Sequence, residues 1–578
     1  MLRRAEELVD ALAAAAAHFT ASAREEKLGL LDQLAGSTID EPRALLALHE
    51  TLCFLQAYPD DARVLASVDR ALGALPARVA RLPRAARRRL EDSGIAGTSL
   101  TYPFGLPMTR WLAHRFPRDV DIVWTHFTAG ERLEESLVLL LHPAEHDAWS
   151  DEGGLGWRRW LDIAKSGWET TDLQVILGLF DRASLHAATR DWLFDSLELD
   201  MGWRPGGAGA SRTFARLPWP RPFFHGAGRE PGLERLDQRA FRREVLRPLP
   251  SLRRAPRALA HRLIDAARLA MATRQRELFA FSYPNPDDVL IADPGRGLRI
   301  ALIGLLPHSR LAYDGYYAYL ALKNGVPVGY GAGWQLFGTL EFAANVFESF
   351  RRGESAFIVS QVLRAYHQSL GMRMVLIDPY QIGRDNPEAL SSGAFYFYRH
   401  LGFRSVEPAV ESLAGEEEAK IARDARYRTP LSLLTRLARS DIFLSLQAGE
   451  PVPERRVTGS ALATLVTRHV ARDFRGDRRA AVNHASARVA RALGVRQRSR
   501  WPADEQRAFE HLALVMAHIP DLSRWPAADR RRLVQLVRAK GGPSEAGYVR
   551  RLDEHPRLRQ SLEVLVAPSA GAHGDGER

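Results

Sequence analysis

Apolar residues recur at helical spacing over the first ninety residues of the chain. Four leucines share one helical face there: Leu45, Leu48, Leu52 and Leu55. Helical spacing returns beyond residue 412, where Trp501-Pro502 and Trp525-Pro526 each come directly before an amphipathic stretch. Proline in the first turn with acidic residues close behind is typical of a helix start. The pattern predicts helical regions over 1–92 and 413–566.

Between residues 251 and 412 the pattern changes to alternation and short apolar runs. Asn324-Gly325 separates the apolar segments Tyr316–Lys323 and Val326–Gln335, and this dipeptide is the strongest short signal for a hairpin. The segments that follow predict a strand, a helix capped by Gly371, a buried strand and a last helix: Thr339–Phe350, Val359–Leu370, Met372–Ile377 and about 388–401. The sequence therefore predicts an α/β domain with a mixed sheet and flanking helices, embedded in a mainly helical multidomain protein.

The remaining segments complete the predicted organisation. Val120–Trp124 looks like a short strand, while the Gly- and Pro-rich stretch over 202–232 suits a long loop. Five regions are predicted: helical 1–92, mixed α/β 93–250 of unknown fold, α/β 251–412, basic helical 413–566, and a disordered tail over 567–578.

Composition sets the broad class of the protein. Apolar residues at 46% and charged residues at 26% are ordinary globular usage, which excludes wholesale disorder and a fibrous repeat. Cys53 is the single cysteine, so an intramolecular disulfide and a cysteine-based zinc site are excluded. No apolar run approaches the roughly 18 residues of a membrane span. Acidic Glu6 and Glu7 stand where a signal peptide would become apolar. We expect a cytoplasmic protein without a membrane contact.

Almost all of the excess positive charge lies near the C-terminus. Residues 451–578 carry 24 Lys and Arg against 14 Asp and Glu, while the whole chain has a formal net charge of +11. Nine arginines, with His469 and His484 nearby, form this basic region: Arg472, Arg475, Arg478, Arg479, Arg488, Arg491, Arg496, Arg498 and Arg500. A solvated helix surface and a site for an anionic partner such as RNA or DNA both fit this pattern.

A basic, glycine-containing turn joins the strand at 339–350 to the following helix. Its sequence is Phe350-Arg351-Arg352-Gly353-Glu354-Ser355-Ala356. Unpaired N–H groups in the first helical turn, the helix dipole and arginine side chains all favour an anion at such a place. The turn is therefore a candidate phosphate site.

Two motifs over about residues 255–410 resemble the GNAT superfamily of acyl-CoA-dependent N-acyltransferases. The family's turn, roughly Arg/Gln-x-x-Gly-x-Gly/Ala after a strand ending in Val-x-x-x-Tyr/Phe, is matched by Val346, Phe350, Arg351 and Ala356. The family's final helix, Asn-x-x-Ala-x-x-x-Tyr-x-x-x-Gly-Phe, is matched by Ala394, Tyr398, Gly402 and Phe403. Glu354 stands in place of the first glycine of the turn, and Ser391 replaces the asparagine.

The resemblance implies a GNAT-like mixed sheet and transfer of an acetyl or short acyl group from acetyl-CoA, as cosubstrate, to a primary amine by direct attack. Val346 and Phe347 would hold the pantetheine arm of CoA, and Ser391 would lie at the same cofactor site. The pyrophosphate would bind the turn residues: Arg351, Arg352, Gly353, Glu354, Ser355 and Ala356. The Glu354 carboxylate is expected to point away from the pyrophosphate or to pair with Arg351 or Arg352.

Different side chains are candidates for the general acid and the general base of the transfer reaction. By the resemblance, Tyr398 would protonate the departing thiolate, and a phenol with an ordinary pKa near 10 is protonated at neutral pH. An amine must be neutral to attack a thioester, so Glu341 or Glu348 is the candidate base. Tyr398 as a purely structural core aromatic is the competing interpretation.

Other functions stay open at this point. A non-catalytic GNAT-like regulatory or assembly module would explain Glu354 and Ser391, and a nucleic-acid-associated protein would use the basic C-terminal helices. His142-Pro143-Ala144-Glu145-His146 has the His-x-x-Glu-His spacing of inverted zinc peptidases. Pro143 predicts that the helix ends there, so we expect no metal.

Overall fold

The computed structural model describes residues 5–148, 156–205, 210–226, 233, 235–424, 426–447 and 456–567. Its helices are α1 (Ala5–Ala15), α2 (Ala21–Gly36), α3 (Pro42–Ala57), α4 (Ala62–Arg81), α5 (Arg84–Arg88), α6 (Leu106–Arg115), α7 (Gly130–Leu140), α8 (Gly156–Ala164), α9 (Asp172–Arg182), α10 (Ala187–Asp195), α11 (Gln238–Leu246), α12 (Arg257–Ala272), α13 (Phe279–Ser282), α14 (Ser355–Leu370), α15 (Pro379–Ile382), α16 (Pro387–Ser392), α17 (Ala394–His400), α18 (Pro408–Arg423), α19 (Leu431–Leu437), α20 (Gly459–Phe474), α21 (Arg478–Leu493), α22 (Ala503–Met516), α23 (Ala527–Lys540), α24 (Ala546–Asp553) and α25 (Pro556–Val566). Its strands are β1 (Leu100–Tyr102), β2 (Val120–Ile122), β3 (Met201–Trp203), β4 (Leu252–Arg254), β5 (Pro284–Gly295), β6 (Leu298–Leu305), β7 (Gly315–Lys323), β8 (Val326–Leu336), β9 (Thr339–Val346), β10 (Met374–Ile377), β11 (Arg404–Ser405) and β12 (Ile442–Ser445). Within these residues, no helix is both long enough and apolar enough to cross a membrane.

The chain forms two compact units that alternate along the sequence. The first unit comprises 1–233, 264–283 and 323–327, and the second comprises 234–263, 284–322 and 328–578. The predicted regions 1–92 and 93–250 therefore fall mostly in the first unit, and 251–412 and 413–566 fall mostly in the second. All but Ala567 of the predicted tail lies outside the described residues.

The first unit is mainly helical and contains a small antiparallel sheet. Its three strands lie in the order β1-β3-β2, with Met201 of β3 paired to both neighbours. Trp203 and Phe180 are fully buried in the hydrophobic core beside this sheet. The loop predicted over 202–232 begins later than expected, because Gly202 and Trp203 belong to β3. The described residues of 204–226 contain neither helix nor strand.

The second unit is built on a nine-stranded mixed sheet. Its strand order is β11-β12-β10-β9-β8-β7-β6-β5-β4. Strands β9 and β10 are parallel, and the connection between them contains α14. The pairs β8–β9, β10–β12 and β11–β12 are antiparallel. The prediction of an α/β unit with a mixed sheet and flanking helices is confirmed.

The two parallel strands differ in length, and this shapes the region that follows them. The register of β9 with β10 covers Thr339–Glu341 against Met374–Leu376. The register of β9 with β8 continues to Val346. The last five residues of β9 therefore lie beyond its last position paired with β10.

Two predicted elements differ from the structure: a strand is shorter than predicted, and a predicted single helix is divided in two. The strand predicted over 339–350 stops at Val346, and a 3-10 turn follows at Glu348–Phe350. The helix predicted over 388–401 is divided into α16 and α17 at Gly393, whose φ is +73°. The predicted cap at Gly371 is confirmed, since this residue ends α14 in the left-handed conformation.

Buried polar groups tie the C-terminal helices to the sheet within the second unit. The Tyr317 hydroxyl donates to Asp288 (2.8 Å) and accepts from the Ala546 amide (2.9 Å). The Glu545 amide donates to Asp288 (3.0 Å), and the Glu545 carboxylate pairs with Lys540. Asp288, Tyr317 and Glu545 are fully buried, so the helices beyond residue 413 share a core with the sheet.

Candidate functional site

A cleft of about 550 Å³ in the second unit lies where β9 runs past β10. Its walls come from the end of β9, the basic turn, the start of α14, helices α16 and α17, and the segment before α11. The lining residues are Arg235, Leu236, Ala344, Asn345, Val346, Arg351, Arg352, Gly353, Ser355, Ala356, Val359, Gln381, Asn386, Glu388, Ala389, Ser392, Ala394, Phe397 and Tyr398. The two motifs that resemble the GNAT family thus meet in one cavity.

The first turn of α14 and the arginines before it place positive charge in the cleft lining. Glu354 occupies the N-cap position, but its side chain does not cap the helix. Arg351 donates to the Val346 carbonyl (2.9 Å) and pairs with Glu388 (2.8 Å), which fixes the turn against the end of β9. Arg352 is exposed and lines the cleft. First-turn amides and two arginines at one helix end form a place that favours an anion.

Glu354 is turned away from the cleft. Its side chain is fully buried and pairs with Arg296 at 3.1 Å. Glu354 is absent from the residues that line the cleft, so its assignment as a cofactor-binding residue is not supported by its placement. The expected orientation away from the anion is present, but the partner is Arg296 rather than Arg351 or Arg352.

Tyr398 is a buried aromatic residue that also lines the cleft. The residue is 3% exposed, and its ring contacts Phe403 with centroids 5.3 Å apart. In the part of the chain that the structure describes, no group hydrogen-bonds the Tyr398 hydroxyl, and the residue lines the cleft. Burial, followed by the negative charge of Asp378, raises the pKa of Tyr398 well above its usual value. The phenol therefore holds its proton at neutral pH.

Glu341, the other predicted catalytic residue, lines a separate cavity of about 70 Å³ together with Asp314 and Arg456. Burial raises the pKa of Glu341 to about 7, and the negative charges of Asp378, Asp441 and Asp314 act in the same direction. The structure does not bring Glu341 and Tyr398 into one cavity. Asp378 acts electrostatically on both of them.

Three further predicted residues lie outside the cleft lining. Phe347 is buried against Tyr330, and its amide donates to the Val328 carbonyl (3.0 Å). Ser391 is exposed and donates to the Glu388 carbonyl (3.0 Å), whereas the neighbouring Ser392 lines the cleft. Glu348 is exposed at the 3-10 turn.

Sequence reasoning missed several residues at or near this site. Asp378 directly follows the buried strand β10, and polar residues at the ends of parallel strands are a signal that points to a site. Gln381, Asn386 and Arg235 line the cleft from connecting segments. Arg235 precedes the region of family resemblance, so no sequence motif pointed to it.

The other candidate sites remain surface features. In the basic region, Arg475, Arg479 and Arg488 are exposed, and Arg472 pairs with Asp473 (2.7 Å). The His142–His146 motif lies at a 3-10 helix over Pro143–Ala148. Over the described ranges, no group of three or more metal-ligating side chains is arranged to hold an ion.

Comparison of the chain with protein-family models, curated proteins and solved structures finds no match.

Proposed function

We propose that the protein is a GNAT-type N-acyltransferase that moves an acetyl or short acyl group from CoA to a primary amine. One observation carries this proposal: a single cleft is lined by the end of β9, the basic turn of α14 and the hydroxyl-bearing Tyr398. These three parts correspond to the pantetheine, pyrophosphate and thiolate positions that the sequence resemblance implies.

The donor would lie along the cleft with its pyrophosphate at the first turn of α14. Arg352 and the first-turn amides offer charge-assisted hydrogen bonds to phosphate oxygens. Arg351 is held by Val346 and Glu388, which orients the turn before the ligand arrives. The pantetheine arm would follow Ala344–Val346, the part of β9 that runs beyond β10.

Tyr398 would protonate the CoA thiolate as it leaves. Its raised pKa ensures that the proton is present at neutral pH, and its hydroxyl is not engaged by another described side chain. The attacking nitrogen becomes cationic in the tetrahedral intermediate and must lose a proton as the carbon–sulfur bond breaks. Thiolate and proton together leave as the neutral thiol.

Glu341 is the proposed base on the acceptor side. A pKa of about 7 allows it to accept a proton from an ammonium group at neutral pH. Because Glu341 lines a different cavity from Tyr398, a proton from the amine would reach Glu341 through an intervening group. We propose Asp378 as that group, because it acts electrostatically on both residues.

Calorimetric titration with CoA tests the donor site. We expect wild-type protein to bind CoA and the Arg351→Ala/Arg352→Ala variant to lose about 2–4 kcal/mol of binding free energy, since charge-assisted hydrogen bonds are removed. Arg478→Ala/Arg479→Ala is the matched control, because it removes two exposed arginines of α21 outside the cleft. Absence of CoA binding to the wild type would overturn the proposal.

Catalysis is tested separately by the release of free CoA thiol from acetyl-CoA in the presence of a panel of primary amines. Amine-dependent release supports the transferase. Tight CoA binding without release for any amine would instead favour a regulatory module of the same fold.

A further inference from the structure

Arg235 lines the cleft although it lies outside the segment that carries the family resemblance. It belongs to the stretch that leads into α11, and its side chain is exposed. Among the described residues, the cleft lining contains three arginines and one glutamate as its charged groups: Arg235, Arg351, Arg352 and Glu388. Arg351 is paired with Glu388, so these described groups together keep a net positive charge of two.

The packing of α11 against α14 explains why Arg235 is at this place. Gln361 donates to Glu244 (3.2 Å), and Arg364 donates to the Arg247 carbonyl (2.6 Å). Further along, the Leu249 amide donates to Gln368 (2.9 Å). The partners advance together along both chains, so the two helices run in the same direction and begin at the same end.

The residues before α11 therefore lie beside the first turn of α14. The first turn of α11 is itself capped, since Asp237 accepts from the Ala240 amide (2.7 Å). This first-turn amide already donates to a carboxylate, so the end of α11 is a poor binding place for another anion. The guanidinium of Arg235 is thus the positive group that this segment adds to the cleft.

A CoA molecule carries one more anionic group than the basic turn accounts for. Its pyrophosphate suits the first turn of α14 and the turn arginines, whereas its 3′-phosphate is a separate phosphomonoester on the ribose. We propose that Arg235 binds the 3′-phosphate of the donor and so distinguishes CoA from dephospho-CoA. This inference rests on the proposed function, because it requires that the cleft holds CoA.

The test is calorimetric titration of wild type and Arg235→Gln with two ligands, CoA and dephospho-CoA. We expect the variant to bind CoA about tenfold or more weakly, as for one lost charge-assisted hydrogen bond, and to bind dephospho-CoA within twofold of the wild type. Arg239→Gln is the matched control, because Arg239 is exposed on α11 and does not line the cleft. It should change neither affinity.

The outcomes separate this inference from the proposed function. Equal weakening of both ligands by Arg235→Gln would place Arg235 at the pyrophosphate and overturn the inference while the CoA site stands. Unchanged affinity for both ligands would overturn it as well. If wild-type protein binds neither ligand, the proposed function and the inference both fail.

Discussion

Tyr398 combines a buried ring with a hydroxyl at the cleft, and a single-atom change separates its two possible roles. Tyr398→Phe keeps the ring against Phe403 and removes only the proton donor. We expect kcat to fall about 10²–10⁴-fold while the Kd for CoA stays within twofold. Steady-state kinetics with a verified amine and CoA titration measure the two quantities.

Tyr396→Phe is the matched control for that experiment. The Tyr396 hydroxyl bonds the Thr429 hydroxyl (2.6 Å) in the segment before α19, and Tyr396 does not line the cleft. Its loss should leave turnover unchanged. Wild-type turnover in Tyr398→Phe would remove Tyr398 from the mechanism and leave it as a core aromatic.

The burial of Glu277, in the first unit, leads us to expect that the stability of the protein depends on pH. Its Oε2 accepts from the Gly105 amide (3.1 Å), while its Oε1 is buried and has no hydrogen-bond partner among the described residues. Burial, reinforced by Asp195, raises the pKa of Glu277 from 4.5 to about 7. Between these pH values the folded carboxyl keeps a proton that the unfolded chain releases, so raising the pH favours unfolding.

We therefore expect Glu277→Gln to flatten the pH dependence of unfolding. The wild type should lose about 3 kcal/mol of unfolding free energy through this group as the pH rises from 4.5 to 7, with little further change above 7. Urea denaturation of both proteins at pH 5 and pH 8 measures the difference. Parallel pH profiles would show that Glu277 has an ordinary pKa.

The residues of the cleft were predictable where a motif fixes the backbone. Arg351, Gly353 and Ala356 belong to a turn whose spacing sets which groups face the helix end, and all three line the cleft. Phe347 was assigned together with Val346 to the pantetheine arm, and Ser391 was assigned because it stands at the asparagine position of the final-helix motif. In a strand or helix a shift of one position changes the face, which is why Val346 and Ser392 line the cleft while Phe347 and Ser391 do not.

At the scale of elements, Gly393 decides whether one helix or two form between residues 387 and 400. Apolar spacing over 388–401 predicts one helix, because periodicity does not register the φ of a single residue. In the structure Gly393 has a φ of +73°, and a Cβ built on it meets no atom within 4 Å. An alanine there would fit without a clash but with a strained backbone.

Gly393→Ala should therefore destabilise the protein by about 1 kcal/mol, measured by urea denaturation. Gly415→Ala is the matched control, since Gly415 lies inside α18 and a Cβ there also meets no atom within 4 Å. That change should stabilise by roughly 0.5–1 kcal/mol. Stabilisation by both substitutions would indicate a continuous helix through Gly393.

Strong local signals account for the elements that the sequence located well. The Asn324-Gly325 dipeptide places the hairpin of β7 and β8, and both residues have positive φ, +48° and +85°. Strand ends were less predictable. Strand β9 ends at Val346, its last residue paired with β8, so the position of this end depends on the partner strand rather than on β9 itself.

At the scale of the whole molecule, a buried ion pair is one of the contacts that join the sheet and the C-terminal helices of the second unit. Lys540 and Glu545 are both almost fully buried, and Glu545 also accepts from the Tyr316 amide (3.2 Å). Charge patterns in sequence do not reveal which of many acidic residues becomes buried. The return of helical spacing over 413–566 suggested a separate region, although part of it completes the core of the sheet.

Glu545→Gln should destabilise the protein by about 3–5 kcal/mol, because it leaves the buried Lys540 ammonium without its counter-charge. Asp521→Asn is the control, since its pair with Arg524 is exposed at 67% and 82%. That surface pair should contribute less than about 1 kcal/mol. Chemical denaturation measures both, and a loss below 1 kcal/mol for Glu545→Gln would show that the pair is not structural.

The alternation of the two units along the chain has a consequence during synthesis. The first unit needs residues 323–327, at the tip of the β7–β8 hairpin, as well as residues 264–283. Within it, the side-chain Nδ2 of Asn324 donates to the carbonyls of Ala57 (2.9 Å) and Phe223 (3.0 Å). At roughly 5–20 residues per second, a ribosome needs tens of seconds to reach this hairpin. Until then, the N-terminal part of the first unit is synthesised without the later segments that complete this unit.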